Sequence, residues 1–166
     1  MKKLRTPYIT ITLLIFFGFL LTSTGHLSWM YRLMAQTTAE AAYQISTVAG
    51  YGAQAIGILL SAVLLRRISS RKVLTAALAG YAACLFPAVL GTTLAATAVF
   101  GLLLSILCGI IAGSYLYELT KNTAAHHRAL PFGVGYGAAT IASWLLSLID
   151  GGQVYYGSGV VSSVLL

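Results

Sequence analysis

The chain contains the stretch Leu94-Ala-Ala-Thr-Ala-Val-Phe-Gly-Leu-Leu-Leu-Ser-Ile-Leu-Cys-Gly-Ile-Ile-Ala-Gly-Ser-Tyr-Leu-Tyr117, in which no side chain is charged. As a helix rising about 1.5 Å per residue, this stretch can cross the roughly 30 Å hydrocarbon core of a bilayer. The whole chain has the same character, with 58% hydrophobic and 8% charged residues. Because a backbone in hydrocarbon must form its own hydrogen bonds, and these apolar runs are long rather than alternating, the sequence predicts an all-α membrane protein.

Apolar runs of this kind recur along the chain and predict a six-helix transmembrane bundle that forms one domain from residue 1 to residue 166. The predicted spans are residues 8–30, 43–65, 73–92, 94–117, 130–149 and 153–166. The last run is only about 21 Å long as a helix, so we expect five complete spans and a partial sixth in which the sequence ends. A secretory signal peptide is the alternative for the first run, but that run is longer than an h-region and no small-x-small cleavage site follows it.

Basic residues lie almost entirely on one side of the predicted spans. Nine of the ten lysines and arginines share that side, namely Lys2, Lys3, Arg5, Arg66, Arg67, Arg71, Lys72, Lys121 and Arg128, and only Arg32 falls on the other. Because loops rich in Lys and Arg stay in the cytoplasm, we expect a protein of the cell inner (plasma) membrane with a cytoplasmic amino terminus. The net charge of +7 is confined to short loops, which favours membrane lipids with anionic headgroups as partners over nucleic acid.

The chain offers few groups for metal binding or catalysis. Cys84 and Cys108 fall within the third and fourth predicted spans with no ligand cluster nearby, so we interpret them as small buried residues. The chain has three acidic residues in all, with no paired carboxylates and no nucleophile beside a base. We therefore predict no enzymatic activity, no metal site and no cofactor.

Small and polar residues recur at helical spacing in three of the predicted spans, which indicates faces that avoid lipid. These stripes are Gly18, Thr22, Gly25, Trp29 and Arg32, with His26 alongside, in the first span; Thr47, Tyr51, Gln54 and Ser61 in the second; and Gly133, Gly137, Thr140, Trp144 and Ser147 in the fifth. Each stripe either faces a water-filled cavity or serves tight helix packing, and the sequence leaves both open. The small-xxx-small pair Gly109 and Gly113 is better explained by packing.

Six residues on these stripes are candidate substrate-binding residues: His26, Trp29, Arg32, Tyr51, Gln54 and Trp144. An ionisable group deep in a membrane is costly and usually faces a functional interior, although His26 has a packed, hydrogen-bonded role as its alternative. Gln54 can both donate and accept hydrogen bonds to a polar ligand. Arg32 either extends to the membrane interface or, if the first helix continues through it, offers a planar fork to an anionic substrate. For the two tryptophans the alternative is an aromatic belt at the interface.

The connection between the second and third spans reads Gly57-Ile-Leu-Leu-Ser-Ala-Val-Leu-Leu-Arg-Arg-Ile-Ser-Ser-Arg-Lys-Val-Leu74. It resembles the cytoplasmic loop signature of the major facilitator superfamily, Gly-x-x-x-Asp-Arg-x-Gly-Arg-Arg-x-x-Leu. Arg67, Arg71 and Leu74 fall at basic and leucine positions of the signature, and Lys72 is a further basic residue directly after Arg71. The residues that replace its first glycine, its aspartate and its second glycine are Ala62, Arg66 and Ser69. The acidic member of the family's loop latch is therefore missing.

A gating loop is implied by this resemblance, and we assign to it Arg66, Arg67, Arg71 and Lys72. Glu118, at the end of the fourth span, is the one acidic residue on the same side of the membrane. Its carboxylate either forms an interfacial ion pair with Lys121 or Arg128 or takes part in the gate. The connection that follows Glu118 also resembles the family, because a basic residue precedes the glycine-rich fifth span in both.

The resemblance covers essentially the whole chain and implies the amino-terminal six-helix half of a twelve-helix secondary transporter. Members of this family move a small solute by alternating access, with two six-helix bundles rocking around a site at the membrane midplane. We therefore expect spans one, two, four and five to face the solute, and a second six-helix half, in the same polypeptide or in a second chain, as a partner. No arginine lies within the fourth span, so proton antiport is not indicated. Two alternatives are a small membrane protein that works as a homodimer and a non-transporting interaction subunit.

Overall fold

Helices form almost all of the structure, which is a computed structural model that describes residues 5–148. The α-helices are α1 (Arg5–Met34), α2 (Ala39–Tyr43), α3 (Gly50–Leu64), α4 (Ser70–Leu90), α5 (Leu94–Asn122) and α6 (Ala129–Leu148). A π-helical turn, Gln44–Ala49, joins α2 to α3, and a 3-10 turn, Ala125–His127, precedes α6. Residues 5–148 contain no β-strand, so the predicted all-α fold class is confirmed for this part of the chain.

Five helical segments within residues 5–148 are long and apolar enough to cross a membrane. They are Tyr8–Met34, Ala39–Leu64, Ser70–Leu90, Leu94–Asn122 and Ala125–Leu146, and we refer to them as spans one to five. Each overlaps one of the first five predicted spans. The predicted sixth span, residues 153–166, lies outside the described residues, as do Lys2 and Lys3, so the six-helix half of a transporter stays a prediction.

The observed helices extend beyond the apolar runs from which they were predicted. Span one continues through Arg32 to Met34, and span four continues through Glu118 to Asn122. Both helices continue because Glu, Lys and Arg are good helix formers, whereas a hydropathy pattern detects only the part of a helix that lies in hydrocarbon. Span two begins early, at Ala39, because the Thr38 side chain accepts a hydrogen bond from the Ala41 backbone N–H at 3.3 Å and caps the helix.

The α5 helix lies at the centre of the bundle and packs against α1, α3 and α4, while α6 packs against α1. Glycines allow the close approach of α3 and α5: a Cβ atom on Gly57 would overlap the Ile106 carbonyl, and one on Gly109 would overlap the Gln54 carbonyl. A Cβ atom on Gly113 would likewise overlap the Ser61 side chain. Small residues bring helices together in this way in membranes, so the packing interpretation of Gly109 and Gly113 is confirmed.

Buried side chains between α1, α4 and α5 form the core. Tyr81 on α4 is fully buried and donates its hydroxyl to the Leu21 carbonyl on α1 at 2.8 Å. This contact gives the only polar atom of the phenol a partner in surroundings without water. Hydroxyl side chains follow the same rule within their own helices, as when Ser28 donates to the Thr24 carbonyl at 2.8 Å.

The two ends of the bundle differ in charge. One end, which we call the basic end, carries the 65–69 connection, the start of α4 and the 123–128 connection. The basic side chains there are Arg66, Arg67, Arg71, Lys72, Lys121 and Arg128. The opposite end carries the 35–38 and 91–93 connections and Arg32. This separation agrees with the charge asymmetry of the sequence, while the cytoplasmic location of the basic end stays a prediction.

Candidate functional site

A cavity of about 370 Å³ lies between four of the five spans, and we call it the central cavity. Its lining residues come from α1, α3, α5 and α6 and are Phe19, Thr22, Ser23, His26, Leu27, Tyr51, Gln54, Ser105, Cys108 and Tyr136. No lining residue belongs to α4, which packs behind α5 and α1. These are spans one, two, four and five, the set that the family resemblance led us to expect around a solute.

The central cavity lies near the middle of each span that lines it. Span two extends from Ala39 to Leu64 and contributes Tyr51 and Gln54, and span four extends from Leu94 to Asn122 and contributes Ser105 and Cys108. Residues at the middle of a span lie at the depth of the bilayer midplane when the helix crosses it fully. The cavity therefore places polar side chains where water is scarcest.

Aromatic rings form much of the wall. The His26 and Tyr51 rings stack with centroids 5.2 Å apart and planes 15° apart, which joins α1 to α3. The Phe19 and Tyr136 rings lie 4.1 Å apart and join α1 to α6. The π-helical turn ends at Ala49, directly before α3, and such a turn changes the face of the helix on which the residues after it lie. It thus contributes to the direction in which Tyr51 projects.

Most hydroxyl groups of the cavity donate their hydrogen bonds to backbone carbonyls. Thr22 donates to the Gly18 carbonyl at 3.0 Å and Ser105 donates to the Gly101 carbonyl at 2.9 Å. Ser23 bonds the Ser143 hydroxyl at 3.1 Å, which links α1 to α6. These groups retain lone pairs toward the cavity, but their donor capacity is already used.

His26 and Gln54 are different, because no hydrogen bond within residues 5–148 involves the His26 imidazole or the Gln54 side-chain amide. Each group can donate and accept. No aspartate, glutamate, lysine or arginine in the described part of the chain lines the cavity. The site therefore combines flat rings with the hydrogen-bonding groups of His26 and Gln54, and the phenol hydroxyls of Tyr51 and Tyr136 likewise have no hydrogen-bond partner among residues 5–148.

Trp29 lies beside the central cavity without lining it. The side chain is fully buried, and its indole Nε1 donates to the Thr97 carbonyl on α5 at 2.9 Å. A Cβ atom on Gly101 would overlap the indole, so the ring fits against bare backbone. Its centroid is 5.7 Å from that of His26, with planes at 80°. Trp29 therefore supports His26 from behind and has no aromatic-belt position.

Arg32 lies farther along α1, toward the opposite end, and contacts the end of α4. Its Nε and Nη2 atoms donate to the Gly91 carbonyl at 3.0 and 2.6 Å, and Gln36 Nε2 donates to the same oxygen at 2.7 Å. The α4 helix ends at Leu90, so this carbonyl belongs to the residue that terminates it. The guanidinium thus holds a helix end in place rather than facing the central cavity.

Three of the six predicted substrate-binding residues, His26, Tyr51 and Gln54, share the central cavity. Trp29, Arg32 and Trp144 do not line it, and Trp144 is 60% exposed on the outer surface of α6. The predicted set of binding residues lacks seven residues that line the cavity, namely Phe19, Thr22, Ser23, Leu27, Ser105, Cys108 and Tyr136, although Thr22 belongs to the stripe on span one. Ser23 can be predicted to line the cavity from its position one turn before His26. Ser105 cannot, because a single hydroxyl in an apolar span does not indicate which way the helix faces. The side chain of Ser147 lies outside the described part.

The predicted gating residues lie together at the basic end. Arg66, Arg67, Arg71 and Lys72 are exposed. The Glu118 carboxylate accepts a hydrogen bond from Ser70, the first residue of α4, and a second from Asn122 Nδ2 at 2.6 Å. Glu118 therefore joins the end of α5 to the start of α4.

The predicted ion-pair partners of Glu118 make other contacts. Arg128 donates to the backbone carbonyls of Thr123 at 2.9 Å and Thr120 at 2.8 Å. The Lys121 ammonium lies 5.8 Å from the centroid of the Tyr117 ring. Within residues 5–148 the structure contains no Glu118 ion pair with Lys121 or Arg128, because these cations bond to carbonyls and a ring instead.

Comparison of the chain with protein-family models, with curated proteins and with solved structures finds no match. The resemblance to the major facilitator superfamily therefore rests on the loop residues of this sequence alone. No cluster of three or more His, Cys, Asp or Glu side chains in residues 5–148 is arranged to hold a metal ion.

Proposed function

We propose that this chain forms one bundle of a secondary transporter that moves a small uncharged solute across the membrane by alternating access. The observation that carries the proposal is the central cavity, which presents the unpartnered polar groups of His26 and Gln54 near the middle of the membrane spans. Both side chains are only partly buried, so their hydrogen-bonding groups are open to the cavity and can bind water or a solute. Transporters bind their solutes at this depth.

The chemistry of the lining supports an uncharged, ring-bearing solute with hydrogen-bonding groups. A volume of about 370 Å³ suits a small molecule. Tyr51 offers a flat ring to a solute, and Gln54 can pair with an amide, a hydroxyl or a ring nitrogen. Arg32 does not line the cavity, because its guanidinium lies at the Gly91 carbonyl, so the lining carries no positive charge from it to bind an anionic solute.

The complete transporter, in this proposal, pairs the bundle with a second six-helix half. The cavity is bounded by spans one, two, four and five and has no lining residue from span three, so a partner bundle facing it would close it. The loop resemblance supports the same arrangement, with the basic end in the cytoplasm and the protein in the cell inner membrane.

Cysteine accessibility in the complete protein tests the proposal. In a background with Cys84→Ser and Cys108→Ser, we expect Ser23→Cys and Gln54→Cys each to react with a membrane-impermeant thiol reagent added to either side of the membrane. Leu103→Cys is the matched control, because Leu103 is 43% exposed on α5 but does not line the cavity. Labelling of the two cavity positions no faster than that of Leu103→Cys would contradict the proposal, as would labelling from one side alone.

A further inference from the structure

A second concave surface lies on the side of the bundle, between α3 and α4. Both helices pack against α5 and make little direct contact with each other, so α5 forms the floor of a groove between them. This groove, which we call the side groove, has a volume of about 360 Å³. It shares no lining residue with the central cavity.

The side groove is apolar along its length and basic at one end. Seven of its eight lining residues are apolar, including Leu64 and Ile68 on one wall, Val73 on the other and Leu107 on the floor. The eighth is Lys72, in the first turn of α4 at the basic end. The charge therefore lies where the groove meets the membrane surface, and the apolar part extends toward the middle of the membrane.

Positive charge near Lys72 is not neutralised within the described part of the chain. Arg67, Arg71 and Lys72 are exposed and form no ion pair there. The one described carboxylate at the basic end, Glu118, accepts hydrogen bonds from Ser70 and Asn122. A surplus of cations beside an apolar groove is complementary to a molecule with an anionic head and a hydrocarbon tail.

We propose that the side groove binds one anionic phospholipid, with an acyl chain against Leu107 and the phosphate beside Lys72. A groove lined by apolar side chains holds an acyl chain by dispersion contacts, and the lysine ammonium adds preference for a negative headgroup. A protein helix as occupant is disfavoured, because a transmembrane helix is about 10 Å wide and buries an apolar stripe rather than a cation. The lipid site is independent of the proposed transport.

Lipid binding by the complete, delipidated protein tests this site. The protein is titrated in detergent with phosphatidylglycerol or with phosphatidylcholine of the same acyl chains, and bound lipids are counted by native mass spectrometry. We expect the first phosphatidylglycerol to bind about fivefold more tightly than phosphatidylcholine. Glycerol phosphate, which has the head but no acyl chain, should not compete.

Two variants and one control separate the contribution of the Lys72 charge from that of the apolar groove. Lys72→Gln should remove the preference for phosphatidylglycerol, whereas Lys121→Gln, with the same change in net charge away from the groove, should retain it. Ala76→Phe fills the groove without changing charge and should weaken the first binding event severalfold; because Ala76 is exposed, its replacement does not disturb the core. If Lys72→Gln and Lys121→Gln reduce the preference for phosphatidylglycerol equally, the lipid is attracted by the overall charge of the basic end and the proposed site is wrong. If Ala76→Phe leaves lipid binding unchanged, the acyl chain does not lie in the side groove.

Discussion

His26 on span one and Tyr51 on span two stack ring on ring, with 5.2 Å between centroids and 15° between planes. The edge contact with Trp29 fixes His26 from the other direction, at 5.7 Å. Tyr51 is 56% exposed, so most of the phenol remains available on the side away from the imidazole. The stack therefore joins two spans and at the same time presents a flat surface at the central cavity.

Replacement of Tyr51 should impair transport through loss of the ring rather than loss of the hydroxyl. We expect Tyr51→Ala to raise KM for solute uptake by about threefold to tenfold, the effect of one aromatic contact, and Tyr51→Phe to change it little. The measurement is uptake of uncharged, ring-bearing amides into proteoliposomes that contain the complete protein. Tyr43→Ala is the control, because Tyr43 is 54% exposed in the same span and does not line the cavity. An equal effect of Tyr51→Phe and Tyr51→Ala would show that the hydroxyl is the important group.

Gln54 should contribute one hydrogen bond to the bound solute. Its side chain lines the central cavity and has no hydrogen-bond partner among residues 5–148. Gln54→Ala should therefore weaken solute binding about fivefold while leaving the thermal unfolding midpoint unchanged. Gln44→Ala provides the comparison, since Gln44 is an exposed glutamine of the same span outside the cavity. If Gln54→Ala lowers the unfolding midpoint without affecting uptake, the amide has a packing role.

Stability should depend on Gly101, against which the Trp29 indole packs. Gly101→Ala would place a methyl group on the indole, so Trp29 must shift and lose its hydrogen bond to the Thr97 carbonyl. We expect a loss of about 1–3 kcal/mol in unfolding free energy, measured by denaturation in mixed micelles. Gly52→Ala is the matched control, because nothing lies within 4 Å of a Cβ atom at Gly52. Alanine is a better helix former than glycine, so Gly52→Ala should leave the stability unchanged or raise it slightly. Equal losses of unfolding free energy in Gly101→Ala and Gly52→Ala would contradict a specific role for the contact with Trp29.

The transmembrane helices are the part of the fold that the sequence predicts well. In lipid every backbone N–H and C=O group must form its hydrogen bond within the helix, so a long apolar run such as residues 94–117 must be helical. The helix ends are less predictable because they depend on capping and on helix propensity outside the hydrocarbon, as at Thr38 and Asn122. The π-helical turn before α3 has no local signal that we recognise in the sequence.

The candidate site is only partly predictable, because a stripe of polar residues specifies a helix face but not the neighbour of that face. His26 and Gln54 were found because a large polar group within an apolar span is conspicuous. Tyr136 is not predictable in this way, because an aromatic residue beside glycines is equally typical of packing. For Trp29 the sequence predicts a binding surface, yet the indole packs on Gly101, a residue distant in sequence that only the tertiary structure brings into contact.

Arg32 gives the clearest test of a role that follows from tertiary contacts. Its guanidinium donates twice to the Gly91 carbonyl, 59 residues away, so Arg32→Gln should lower the unfolding free energy by roughly 1–2 kcal/mol. Arg32→Lys should recover only part of this loss, because an ammonium lacks the planar fork. Arg67→Gln, which removes the same charge from an exposed position, should change stability by less than about 0.5 kcal/mol. The unfolding free energy is measured in mixed micelles, and uptake of anionic and uncharged solutes is measured in proteoliposomes. If Arg32→Gln keeps full stability but abolishes uptake of anionic solutes, then Arg32 binds the solute and does not hold the end of α4.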